Sequence, residues 1–135
     1  MGKVIVKVGL ANVNSEKFFY SRALVDTGAD ITVLPLSIAQ RLNLKIRGEE
    51  WIRTGNEPIK VGISDVKVIL NDHLAYTTVW INPKIDKILI GVVLLEQMGL
   101  KVNPLKKVLE KEQQVMYLEE YHTKGVYITE LATQR

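Results

Sequence analysis

The sequence predicts a mostly-β domain with one or two short helices, and three observations carry that prediction. Runs of β-branched and aromatic residues, separated by Asn, Gly and Asp turn signals, recur along most of the chain. Helical punctuation occurs in two places, at Pro35 and between Gly91 and Gly99. The length of 135 residues, with 47% apolar and 24% charged residues, suits one globular domain with its own core.

The elements follow in chain order. Lys3 to Val8 reads as a strand, and Phe18 to Val25 as its hairpin partner, with Asn12, Asn14 and Ser15 in the loop between them. Pro35 to Leu42 reads as a helix of about two turns, since proline suits the first helical position. Trp51-Ile52-Arg53 and Ile59-Lys60-Val61 flank a tip at Gly55-Asn56. A second hairpin turns at Asn71-Asp72, between Val66–Leu70 and Ala75–Ile81. Ile88-Leu89-Ile90 leads through Gly91 into a helix over Val92 to Met98, ended by Gly99, with Leu100-Lys101-Val102 as a further strand. From Leu105 to Tyr121 the apolar residues fit neither period, so a charged helix and a hairpin pair both stand. Gly125 to Thr129 reads as a last strand.

Composition narrows the chemistry. There is no cysteine, which removes disulfides, a thiol nucleophile and Cys-based zinc sites. Eighteen Lys+Arg against 15 Asp+Glu leave a net charge of +3. The densest basic spot, Lys106-Lys107, is followed closely by Glu110 and Glu112, which reads as a solvated face and predicts no nucleic-acid partner. No apolar run approaches the roughly 18 residues that span a bilayer. The lysine-interrupted start has neither a signal-peptide core nor the hydroxyl residue that myristoylation needs, so no membrane partner and a cytoplasmic location are expected. His73 and His122 are far apart in the chain and predict no metal site; Trp51 and Trp80 read as core or sheet-face residues. No phosphate-binding loop, nucleophile elbow or cofactor motif is present.

The informative segment is Ala23-Leu24-Val25-Asp26-Thr27-Gly28-Ala29-Asp30-Ile31-Thr32-Val33-Leu34. An apolar strand runs into Asp-Thr-Gly and a second apolar strand follows at once. A carboxylate on a tight turn between two buried strands is rigidly held. Thr27 offers a hydroxyl to lock the turn, and Gly28 permits close backbone approach. The bare tripeptide also occurs as an ordinary turn, and arises by chance in such a chain on the order of a few per cent of the time. The flanks give it weight: Ile88-Leu89-Ile90-Gly91 with its helix lies downstream, and the hairpin tip Arg53-Thr54-Gly55-Asn56 between them could fold over a cleft.

In these motifs the chain resembles the retropepsin-like aspartic proteases. Leu24 to Leu34 is similar to their catalytic strand–turn–strand. Ile59-Lys60-Val61 after Gly55 is similar to the descending arm of their flap. Leu89-Ile90-Gly91 with the following helix resembles their apolar-apolar-Gly element. The resemblance implies a closed β-barrel of the acid protease type, homodimeric, with residues 1–103 as the protease domain. Residues 104–135 would be an extension of that domain and a candidate dimer interface.

It further implies an aspartic endopeptidase that needs no cofactor and acts on peptide or protein substrates. With one Asp-Thr-Gly in the chain, Asp26 would meet Asp26 of a second copy across a two-fold axis. Thr27 and Gly28 would support the turn, with Thr27 bonding across the dimer. Ala29 and Asp30 would pair with substrate backbone. Ile31, Val33, Ile52 and Leu89 would line side-chain pockets, while Thr54 and Gly55 close the flap.

Three departures mark the chain as similar to cellular or prokaryotic members more than to viral ones. Val92 stands where viral enzymes carry an arginine, leaving Asp30 without that charge partner. The hairpin tip holds one glycine in place of several, and the chain continues past Asn103. A catalytically silent fold serving as a dimerisation or peptide-binding module is the competing expectation.

Overall fold

The computed structural model describes residues 3–55 and 57–112. Strand β1 (Val4–Asn12) and β2 (Phe19–Val25) form the first hairpin, antiparallel from Val4↔Val25 to Leu10↔Phe19. Its loop is shaped by side chains: the Asn12 Oδ1 accepts the Asn14 N–H at 3.0 Å, and the Ser15 Oγ accepts the Lys17 N–H at 3.0 Å.

Strand β3 (Thr32–Pro35) leads straight into helix α1 (Leu36–Arg41). Pro35 serves both elements, since its fixed φ of −64° suits a strand end and a helix start, and its missing N–H costs neither a bond. Asn43, at φ 57°, turns the chain out of the helix.

Strands β4 (Gly48–Thr54) and β5 (Glu57–Leu70) make the second hairpin, and β5 with β6 (His73–Asn82) the third. The two segments expected at 59–61 and 66–70 are therefore one strand of 14 residues. Gly62, Ser64 and Asp65 are poor strand formers between those segments. The strand runs through them because β6 pairs with it from Gly62 to Leu70, and the Ser64 hydroxyl donates to the Lys45 carbonyl at 2.6 Å. The third hairpin turns at Asn71 and Asp72, both at positive φ (49° and 64°), the conformation a two-residue turn needs to match strand twist.

Strand β7 (Ile88–Ile90) slots between β2, to which it is parallel, and β3, to which it is antiparallel. Helix α2 (Val92–Met98) follows, ending at Gly99 with φ 66°. The sheet runs β1-β2-β7-β3-β6-β5-β4, and an added β1–β5 pairing closes six of those strands into a barrel. Strand β4 stays outside the ring, so the β4–β5 hairpin overhangs it.

Beyond α2, β8 (Leu100–Asn103) and β9 (Val108–Lys111) form a small hairpin. The Asn103 Oδ1 accepts the Leu105 and Lys106 N–H groups, which makes the turn, and Leu100 and Leu109 of the hairpin enter the core. Of the two expectations for the start of Leu105–Tyr121, the hairpin is what forms as far as Lys111. Residues 113–121 of that segment, the strand expected at Gly125–Thr129, His122 and the tip residue Asn56 lie outside the described residues. Among the described residues no helix is long and apolar enough to cross a membrane.

The core is aliphatic: Val8, Leu10, Leu34, Val66, Val68, Leu70, Val79 and Ile90 point into the barrel, and Leu94, Leu95 and Met98 of α2 close one end. The base of the overhanging hairpin is tied to this body. Arg47, just before β4, holds Asp65 through Nε at 2.7 Å and Nη2 at 3.2 Å, and Thr78 of β6 donates to the same carboxylate at 3.1 Å. The Arg47 hydrogen bonds keep the Asp65 carboxyl below its ordinary value of 3.8.

A carboxyl depressed in the folded state stabilises the fold above its ordinary value, and that stabilisation is lost as pH falls through the lowered one. Both side chains are half-exposed, so the effect is small. Asp65→Asn should lower the urea midpoint at pH 7, and its deficit against wild type should begin to shrink below pH 3.8 and vanish as pH falls through the lowered value. A deficit that persists undiminished in acid would show that packing, not charge, is what the substitution removes.

Candidate active site

Asp26 sits one residue past the end of β2, and its position follows from backbone pairing on both sides. Its N–H donates to the Ile90 carbonyl at 2.9 Å, continuing the β2–β7 ladder. Its own carbonyl accepts the Ala29 N–H at 3.1 Å, and its Oδ1 accepts the Gly28 N–H at 3.0 Å. The carboxylate is thereby fixed over a tight turn, half-buried, with Thr27 and Gly28 exposed beside it.

The turn is clamped to the second motif. Val92 and Val93, at the start of α2, donate their N–H groups to the carbonyls of Ala29 (2.9 Å) and Asp30 (3.0 Å). These are helix N–H groups without partners inside the helix, so the turn acts as its backbone cap. The Gly91 N–H donates to the buried Thr32 Oγ1 at 3.0 Å. Gly91 is a glycine for a steric reason: a Cβ there would lie 2.5 Å from the Asp30 carbonyl oxygen and 2.7 Å from the Ile31 carbonyl carbon.

A cleft of about 680 Å³ opens from the turn. Gly28, Ala29, Asp30 and Ile31 line its near end. Val33 and Leu89 form part of the floor. Ile52 and Thr54 reach it from the β4–β5 hairpin. Asp26 and Thr27 stand at its head, outside the lining, and Gly55 lies exposed at the hairpin turn with φ 58°. Asp30 is exposed and takes part through its backbone carbonyl. Two further hollows, of about 390 and 790 Å³, lie elsewhere on the surface, and neither includes any residue from Asp26 to Val33.

Sequence reasoning missed Thr32, Trp80, Ile59 and Ile85. Thr32 is 2% exposed and its hydroxyl faces Gly91; a polar residue inside an apolar run was the available signal. Trp80 is half-buried and lines the cleft, on the face of β6 opposite core residues Val79 and Ile81; strand alternation could have found it. Trp51, in contrast, is neither core nor cleft: it is 66% exposed on β4.

The closed barrel, the Asp-Thr-Gly turn and the β7–α2 clamp define a retropepsin-like fold, and comparison with known proteins agrees. The structure is similar to EIAV protease in complex with the inhibitor HBY-793, with a TM-score of 0.60 at 18% identity over 76% of this chain and 93% of that one. It is similar to a retropepsin-like aspartic protease from Rickettsia conorii (TM-score 0.54, 21% identity, 77% and 95% covered). The retroviral protease-like domain of Ddi1 from Leishmania major also matches (TM-score 0.54, 16% identity, 82% and 90% covered). A search of curated proteins finds no match. Residues 11–97 match the model of the gag-polyprotein putative aspartyl protease family, and the chain belongs to that family.

Two substitutions probe the clamp. Gly91→Ala forces a methyl group into backbone atoms and should cost about 1–3 kcal/mol, as overpacking does. Thr32→Val keeps the shape but strands a buried N–H, and should cost roughly 1–3 kcal/mol. Urea unfolding of each variant checks both; a Thr32→Val midpoint equal to wild type would show that the hydroxyl contributes nothing.

Proposed function

We propose that the protein is a homodimeric aspartic endopeptidase in which Asp26 of each subunit forms one acid–base pair. The observation that carries the reading is the backbone clamp that holds the Asp26 carboxylate at the head of a peptide-sized, largely apolar cleft. Family membership supports proteolysis as the chemistry.

Two facing carboxylates share one proton, because adjacent like charges do not both ionise cheaply. The ionised one takes a proton from a bound water, whose oxygen attacks the scissile carbonyl carbon. The protonated one gives its proton to the carbonyl oxygen. Return of a proton to the amide nitrogen then releases the amine as the C–N bond breaks. No covalent enzyme intermediate arises.

In this reading Thr27, exposed beside Asp26, bonds across the dimer. Gly28, Ala29 and Asp30 receive the extended substrate by strand-like pairing. Ile31, Val33, Ile52 and Leu89 bind side chains, and the β4–β5 hairpin with Thr54 and Gly55 acts as the flap. The stretch after Asn103 contributes the dimer contact: Leu105, 94% exposed, and Val108 are apolar residues on the β8–β9 hairpin with no cover in one copy.

The test is cleavage of a mixed peptide library at mildly acidic pH, wild type against Asp26→Asn, with products read by mass spectrometry and mass in solution by sedimentation. A dimer whose cuts fall about 10²–10⁴-fold in the variant is the expected result. A protein that stays monomeric at high micromolar concentration would sink the paired mechanism. A dimer that cuts nothing points to a peptide-binding module instead.

A further inference from the structure

Strand β4 ends the sheet order: it pairs with β5 along its whole length, and its other edge faces no strand among the described residues. An open edge offers N–H and C=O groups to any second strand, and proteins commonly blunt such edges with lysine or proline. This edge has neither. Glu49, Glu50, Trp51 and Arg53 stand exposed along it, Trp51 at 66%.

Side chains on β4 alternate between two faces. Glu49 and Trp51 share the outer one, since Lys60 of β5 reaches both: its Nζ lies 3.1 Å from the Glu49 carboxylate and 5.9 Å from the centre of the Trp51 ring. Arg53 takes the same face by the period of two, and it forms no ion pair among the described residues. Ile52, between them, belongs to the cleft side.

The order Glu49, Trp51, Arg53 is complementary to its own reverse. Two copies laid edge to edge, antiparallel about a two-fold axis at Trp51, set each Glu49 opposite Arg53 of the other copy and bring the two indoles side by side. Keeping both outer faces on one side of the joined sheet allows only registers that differ by two residues per strand. The next register one way sets Glu50 on Glu50 and Arg47 on Arg53, like charge on like. The next one the other way sets Glu49 on Gly55 and makes neither charge pair.

We propose that the free edge of β4 docks a second copy of this chain, β4 against β4, antiparallel and centred on Trp51, with each Glu49 paired to Arg53 of the other copy. The contact uses neither Asp26 nor the stretch after Asn103, so it is separate from the dimer of the peptide-cleaving reading and stands whether or not that reading holds. Strand addition works through the edge and leaves both faces of the hairpin open, the cleft side included. Seven residues make a small contact, so the association is weak and concentration-dependent.

Sedimentation at high micromolar concentration, on wild type, Glu49→Arg, Arg53→Glu and the double exchange, tests the pairing. Each single variant sets like charges opposite one another at two symmetric places and should weaken association by about tenfold. Wild type should therefore reach twice the mass of either single variant, and the double exchange should recover it. The step runs from monomer to dimer if Asp26 does not pair and from dimer to tetramer if it does, so the two readings fail separately. Equal masses in all four proteins overturn the proposal, and so does a double exchange that stays at the lower mass.

A second readout captures the contact directly. The chain has no cysteine, so Trp51→Cys carries the sole thiol. Facing Cα atoms of an antiparallel pair lie about 4.5–5.5 Å apart, within reach of a disulfide. Under mild oxidation Trp51→Cys should link in pairs far more readily than Tyr76→Cys, whose position on β6 is similarly exposed at 59%. Equal yields overturn the proposal.

Discussion

The contact of Gly91 with the backbone of Asp30 and Ile31 is the constraint on which the site depends. A side chain at 91 would lie within 2.5–2.8 Å of those backbone atoms, so two loops distant in sequence can touch here only through glycine. Because they touch, the first N–H groups of α2 reach the carbonyls of Ala29 and Asp30, and the Thr32 hydroxyl reaches the Gly91 N–H. One end of this assembly is welded to the core through Leu94, Leu95 and Met98. The other presents the Asp26 carboxylate. Rigidity at this carboxylate is thus inherited from aliphatic packing by way of backbone hydrogen bonds, which are short-ranged and directional.

Strand β5 divides its length between two tasks. Its second half is barrel wall, paired with β1 and β6; its first half leaves the ring with β4 and overhangs the cleft. The Arg47–Asp65–Thr78 network lies near where the two halves meet and fastens the root of the overhang. Near the tip, Lys84 approaches Glu57 at 3.7 Å, an exposed pair that contributes little energy. The hairpin is therefore anchored firmly at its base and lightly at its end.

Alternation is what lets so small a domain carry both a core and a cleft. Strands β3, β6 and β7 bury one set of side chains in the barrel and turn the other set outward under the hairpin, so the wall of the cleft is the back of the core. A volume change at Val33 or Leu89 is felt on both sides. Trp80 is the bulkiest of the residues that line the cleft.

The Asp-Thr-Gly turn, both helices, the three hairpins and eight of the cleft-lining residues were legible from sequence, since each rests on local chemistry. Asp-Thr-Gly between apolar runs, Pro35, Asn71-Asp72 and the Gly91–Gly99 bracket report turn and helix geometry from their own side chains. The continuity of β5 through Gly62–Asp65, the burial of Thr32 and the place of Trp80 were decided elsewhere. Each depends on a partner 13 or more residues away in the chain: β6 across Gly62–Asp65, Gly91 on Thr32, Val33 beside Trp80. A residue's own pattern says which way it alternates; only the packed sheet says whether the face it turns to is core, solvent or cleft.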